Sequence, residues 1–158
     1  QNPHQLSWND FRGKPKSRSG FNANTNSGIS YGYKISGTPA TPFLDYKVIA
    51  NFYPGLSWVN PESKTTDLLQ HEQLHFDISE LYARKLRKSL SELSPEKLKG
   101  DPRKILNSLY EKLEEQRVAT EVKFDVESLH SLNKAEEKKW EDSIHRELQE
   151  LEEFQITD

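Results

Sequence analysis

Cysteine and methionine are both absent from the 158 residues. Without cysteine there are no disulfides and no thiolate metal sites, and nothing in the sequence reports the redox compartment. The lack of methionine, with Gln1 at the start, raises the expectation of a processed or trimmed chain. Long apolar runs are missing too. No window approaches the roughly 18–20 uninterrupted apolar residues that cross a bilayer, and no charged-then-apolar start has the form of a signal peptide, so a soluble chain is expected. Charge of one sign is also lacking. The 22 basic residues are interspersed with 25 acidic ones for a net charge of −3, which leaves no basic footprint for nucleic acid. Apolar residues make up only 33%, but three Trp, six Tyr and seven Phe supply large buried areas from few positions. The length suits one domain, residues 1–158.

The two halves differ in texture. Residues 1–62 are rich in Gly, Pro, Asn, Ser and Thr and form a β- or loop-rich part, whereas Leu, Glu and Lys dominate the rest. Alternating apolar residues predict strands over Ile29 to Ile35 and Tyr46 to Tyr53, with Leu56 to Val59 as a possible third. Gly37, Pro39 and Pro42 separate the first two, and Pro54-Gly55 marks a turn. A helix is predicted over residues 67–90, opening at Asp67 with Gln70 in the form of a capping box. Its inward stripe is Leu68, His71, His75, Ile78, Tyr82 and Leu86, in steps of three and four. A helical part covers 102–154. Asp101-Pro102 opens a long helix whose inner line is Leu106, Leu109, Leu113, Arg117, Thr120, Phe124 and Ser128. A break is predicted at Leu129 to Leu132, and Asn133 with Glu136 caps a last helix lined by Trp140, Ile144, Leu148 and Leu151. The remaining faces of that helix are charged and read as solvated surface.

The chemistry is concentrated in His71-Glu72-Gln73-Leu74-His75. Residues four apart on a helix lie one turn above each other, so two imidazoles can reach one ion from the same side. Glu72 sits beside the first ligand, where it can take a proton from a water that Lewis-acidic zinc has made acidic. Hydrogen-bonded core histidines are the plain alternative, but two unpartnered imidazoles on a buried stripe are costly and a metal satisfies them. A catalytic zinc ordinarily has three protein ligands. The third is sought between Glu121 and His130, where Asp125 lies near the apolar side of the helix and His130 at its break. Tyr82 is a candidate oxyanion donor or a core residue. Trp8, Trp58 and Trp140 read as core aromatics.

At these residues the chain resembles the bacterial predicted secreted zinc-dependent proteases, long known only as a domain of unknown function. The resemblance runs over nearly the whole chain. It is carried by Trp8-Asn9-Asp10-Phe11 with Gly13 and Pro15, Thr25 with Gly28-Ile29, Ser57-Trp58-Val59, Leu68 through Ile78 around the two histidines, and Phe124-Asp125 through Ser128 and His130. The last motif of that family has Tyr, Thr and Gly where this chain has Phe124, Ser128 and Ser131, so the departures touch residues around Asp125 and His130 rather than those two. The resemblance implies a secreted, periplasmic or cell-envelope enzyme of the zincin type and narrows the third ligand to two residues. His130 is the first choice, with Asp125 as a carboxylate orienting a ligand imidazole. The reverse assignment, Asp125 on zinc, stays open. In zincins a sheet edge beside the active-site helix takes the substrate as an added strand, which would here be Tyr46 to Tyr53 or Leu56 to Val59.

The expected fold is therefore α+β and zincin-like, a small N-terminal sheet packed on the helix of His71 and His75, followed by two long C-terminal helices. The expected function is a Zn2+-dependent metallopeptidase acting on a peptide or protein substrate, with Glu72 as general base. Two other readings remain: a metal-stabilised, non-catalytic binding module of the cell envelope, and a helical scaffold that binds a partner through residues 134–158. Neither substrate preference nor oligomeric state is legible.

Overall fold

A computed structural model describes residues 5–16 and 20–156. The architecture is α+β, with two small antiparallel sheets and three helices. Strands β1 (Ala23–Asn24) and β4 (Trp58–Val59) pair with each other, and β2 (Ser27–Gly37) pairs with β3 (Pro42–Phe52). Helices α1 (Thr66–Ser91), α2 (Arg103–Ser128) and α3 (Lys134–Glu150) follow.

The hairpin β2–β3 is longer than its alternating core predicts. In its register Ile29 faces Ala50, Tyr31 faces Val48, Tyr33 faces Tyr46 and Ile35 faces Leu44. Directly opposed residues share a sheet face, so these eight side chains form one apolar surface. That surface packs with α1 residues Leu74, Ile78, Leu81 and Leu86 in the main core. At the hairpin tip Gly37 has φ +89, and a Cβ there would lie 2.4 Å from the Thr41 carbonyl oxygen, so only glycine fits. Trp58–Val59 does not extend this hairpin as a third strand. It pairs with Ala23–Asn24, a two-residue segment too short to show an alternation in the sequence.

Helix α1 is the central element, with the β2–β3 hairpin, α2 and α3 all in contact with it. Thr65 caps it, its hydroxyl accepting from the Leu68 amide at 3.2 Å, so the helix starts earlier than Asp67. Asp67 instead places a negative charge in the first turn, where the helix dipole favours it. Contact on several sides also accounts for buried charge that no apolar stripe would forecast. Glu80 accepts from Arg84 Nε at 2.9 Å and Arg87 Nη1 at 3.0 Å. Arg87 in turn donates to the Val48 carbonyl of β3 and the Phe154 carbonyl near the C-terminus, and Arg84 to the Leu148 carbonyl of α3. These buried charges are paired and hydrogen-bonded, the condition under which burial is tolerated, and they tie β3, α3 and the segment after α3 to α1.

The inner lines of α2 and α3 fall as the periodicity predicts, with Leu106, Arg117, Phe124 and Ser128 buried on α2 and Ile144 and Leu148 on α3. Asp101 accepts from the Arg103 amide through its side chain, and α2 begins one residue after Pro102. Between α2 and α3 the chain reverses through Leu129, His130 and Ser131, all with positive φ (50, 50 and 72). The His130 amide donates to the Asp125 carbonyl at 3.0 Å, and the Asn133 amide to the Ser128 carbonyl at 2.8 Å. The side chain of Asn133 then caps α3 by accepting from the Glu136 amide. No described helix is long and apolar enough to cross a membrane.

Candidate metal centre

His71 and His75 lie one turn apart on the face of α1 that meets α2. His71 is buried and His75 nearly so. Phe124, fully buried on α2, holds both rings: it stacks on His71 with centroids 4.6 Å apart and meets His75 edge-on at 5.1 Å. Trp140 of α3 packs behind Phe124 at 5.6 Å. One residue after Phe124, Asp125 points into the same space. Its Oδ1 lies 3.2 Å from His71 Nε2 and 3.0 Å from His75 Nε2. Two ring nitrogens and one carboxylate oxygen therefore converge, all within 4.8 Å of one another.

Such a cluster suits a divalent ion. Zinc bonds of about 2.0–2.1 Å at tetrahedral angles set donor atoms roughly 3.3 Å apart, and the two histidine-to-carboxylate distances, 3.2 and 3.0 Å, lie close to that. The protonation pattern is what tight convergence produces. Burial alone would raise the Asp125 carboxyl, but the hydrogen bonds from His71 and His75 outweigh it and hold that carboxyl far below the ordinary range. For His75 burial pulls the other way, yet the bond to Asp125 and the nearby Glu72 leave its pKa raised. A cation entering here replaces protons with its own charge, so binding would release protons.

Glu72 is 3% exposed, and its Oε2 has no hydrogen-bond partner among the described residues. A buried carboxylate oxygen without a partner costs free energy and calls for an explanation. Its backbone is fixed from the sheet side, where Thr25 Oγ1 donates to the Glu72 carbonyl at 3.0 Å. Outside, a cleft of about 400 Å³ opens over His71, Glu72, His75 and Asp125.

His130 is at the cleft rim, with Nδ1 3.4 Å from Asp125 Oδ1, a side chain 48% exposed and its ring against Phe21. It stands beside the converging donors rather than among them. Tyr82 is buried, its hydroxyl bonded to Thr120 Oγ1 at 2.7 Å. Trp58 is buried in the core, and Trp140 backs Phe124. The N-terminal residues that line the cleft are Gly20 to Thr25, and neither Tyr46 to Tyr53 nor Leu56 to Val59 reaches it. One group at the centre escaped the sequence reading altogether: Glu137 of α3 is buried, with Oε1 3.3 Å from His71 Nδ1. Its only signal was a place seven residues before Ile144 on the inner line of α3.

Residues 57–131 match a family described as bacterial protein of unknown function (DUF922). The matched stretch runs from β4 through α1 and α2 to the reversal, and so contains His71, Glu72, His75, Asp125 and His130. It ends before α3. The resemblance to secreted zinc proteases is thus supported only as far as a bacterial family without a known function. No curated protein and no solved structure matches the chain.

Proposed function

We propose that the chain is a zinc-dependent metallopeptidase of the zincin type, with His71 Nε2, His75 Nε2 and Asp125 Oδ1 as the metal ligands. The observation that carries this reading is the meeting of those three atoms beside a buried carboxylate oxygen, Glu72 Oε2, that has nothing else to bond among the described residues. The distances favour Asp125 over His130 as third ligand. His130, exposed at the rim and near Asp125, is then free to face the reacting group. Zinc, when bound, supplies Lewis acidity that polarises a scissile carbonyl and lowers the pKa of water.

The protein's own contribution follows from its geometry. Phe124 and Trp140 wall the imidazoles on the inner side and fix their rings. Glu72 Oε2 takes a proton from the attacking water and passes it to the leaving amine, a role that asks for a carboxylate without competing hydrogen bonds. Within the cleft lining, the two-residue strand Ala23–Asn24 offers a short stretch of extended backbone against which a peptide can lie. A secreted or cell-envelope setting rests on the sequence resemblance alone. The non-catalytic alternative is disfavoured because a structural zinc has four protein ligands and needs no base.

The test is cleavage of a broad peptide library by the zinc-loaded chain and by Glu72→Gln. Loss of the base should cost about 10²–10⁴-fold in rate with zinc content unchanged. Equal cleavage by both proteins would remove the mechanism.

A further inference from the structure

On the inner line of α3, where Ile144 and Leu148 are buried, the first buried position is an acid. Glu137 is 7% exposed. Its two oxygens have different surroundings. Oε2 accepts from Lys134 Nζ at 3.1 Å, and Lys134 also reaches Asp67 Oδ2 at 3.4 Å. Oε1 faces His71 Nδ1 at 3.3 Å, and neither of those two atoms has a hydrogen-bond partner among the described residues. They stand within ion-pair distance without being aligned as a hydrogen bond. Two complementary polar atoms, each buried and each otherwise unpartnered, account for one another and for nothing else nearby.

A neutral imidazole carries one proton on its two nitrogens. Without an ion, His71 Nε2 carries the proton it donates to Asp125; an ion that takes the Nε2 lone pair leaves the imidazole proton on Nδ1. Metal-ligating histidines commonly donate their second N–H to a carboxylate, which fixes tautomer and ring orientation. We infer that Glu137 is the positioning residue of this centre, holding the Nδ1–H of His71 so that Nε2 is turned toward the ion. The inference rests on the metal site proposed above. It also gives α3 a part in the site, although this helix lies beyond the segment matched to the bacterial family.

The test measures zinc affinity of the full chain by competition with a chromophoric chelator, for the wild type, Glu137→Gln, Glu137→Ala and Glu150→Gln. Glu150 is exposed on the same helix and controls for loss of surface charge. Glu137→Ala should weaken zinc by about 10–100-fold. Glu137→Gln, which keeps an acceptor oxygen and the side-chain volume, should weaken it less, and Glu150→Gln not at all. In the zinc-loaded wild type, ¹⁵N spectra of His71 should show a protonated Nδ1 in slow exchange with water, and this signal should be lost in Glu137→Ala. Wild-type zinc binding with equal affinity and the same ring-nitrogen signals in both Glu137 variants would overturn the inference and leave the metal site standing. A wild type that holds no zinc at His71 would overturn both.

Discussion

Replacing Phe124 with alanine probes whether the two imidazoles are held by packing. Phe124 has no exposed surface and touches His71, His75 and Trp140, with ring centroids 4.6, 5.1 and 5.6 Å away. Truncating a buried phenylalanine costs about 3–5 kcal/mol through lost transfer free energy and the cavity left behind. Helices α1, α2 and α3 all meet here, so collapse around the cavity is restricted. For a domain of this size about 2–4 °C of melting temperature accompanies each kcal/mol, giving a fall of roughly 6–20 °C. The assay is thermal unfolding of metal-free protein followed by circular dichroism, with Phe124→Leu as an intermediate case. The zinc affinity of the alanine variant should fall as well, because both rings lose a wall. A melting temperature lowered by less than about 2 °C, well under what the cavity term requires, would refute the packing argument.

Ser131 has φ +72 in a position where the resembling family carries glycine. A side chain there is strained, so Ser131→Gly should raise stability by about 0.5–1 kcal/mol in urea titrations, and any loss would show that the reversal is not strained as its dihedrals imply. His145 Nε2 lies 3.4 Å from the buried Asp77 Oδ2, and that hydrogen bond raises the His145 pKa above 6.5. The pair's contribution is therefore complete below about pH 6.5 and fades as pH rises through the elevated folded value. With the His145 side chain 54% exposed, it amounts to no more than a few tenths of a kcal/mol. By NMR the His145 midpoint should fall toward 6.5 in Asp77→Asn, and an unmoved midpoint would refute the pairing.

What the sequence revealed and what it hid divide along a physical line. The helix of His71 and His75, the inner lines of α2 and α3, and the cap at Asn133 were legible because apolar periodicity and capping chemistry are local. The hairpin was legible from alternation, but β1 was not, since Ala23–Asn24 owes its strand conformation to pairing with Trp58–Val59 across the fold. The candidate third ligand stayed open in the sequence because the placement of Asp125 and His130 depends on the reversal after Ser128. Three consecutive residues of positive φ carry the His130 backbone out to the rim, while Asp125 stays on the helix facing α1. Glu137 was hidden by its setting. In a run of Glu and Lys it reads as solvated, and only the packing of α3 against α1 brings it to His71. The same holds for Glu80, Arg84 and Arg87, whose burial follows from contacts on several sides of α1 rather than from any stripe.

An anomalous-scattering map recorded at the zinc edge, from crystals grown with zinc, decides whether His71, His75 and Asp125 hold a metal ion. The expected result is a single strong peak bonded to His71 Nε2, His75 Nε2 and Asp125 Oδ1, with Glu72 beside it and not bound. Zinc-replete crystals showing no peak between those side chains, or a peak closed by a fourth protein ligand, would contradict it.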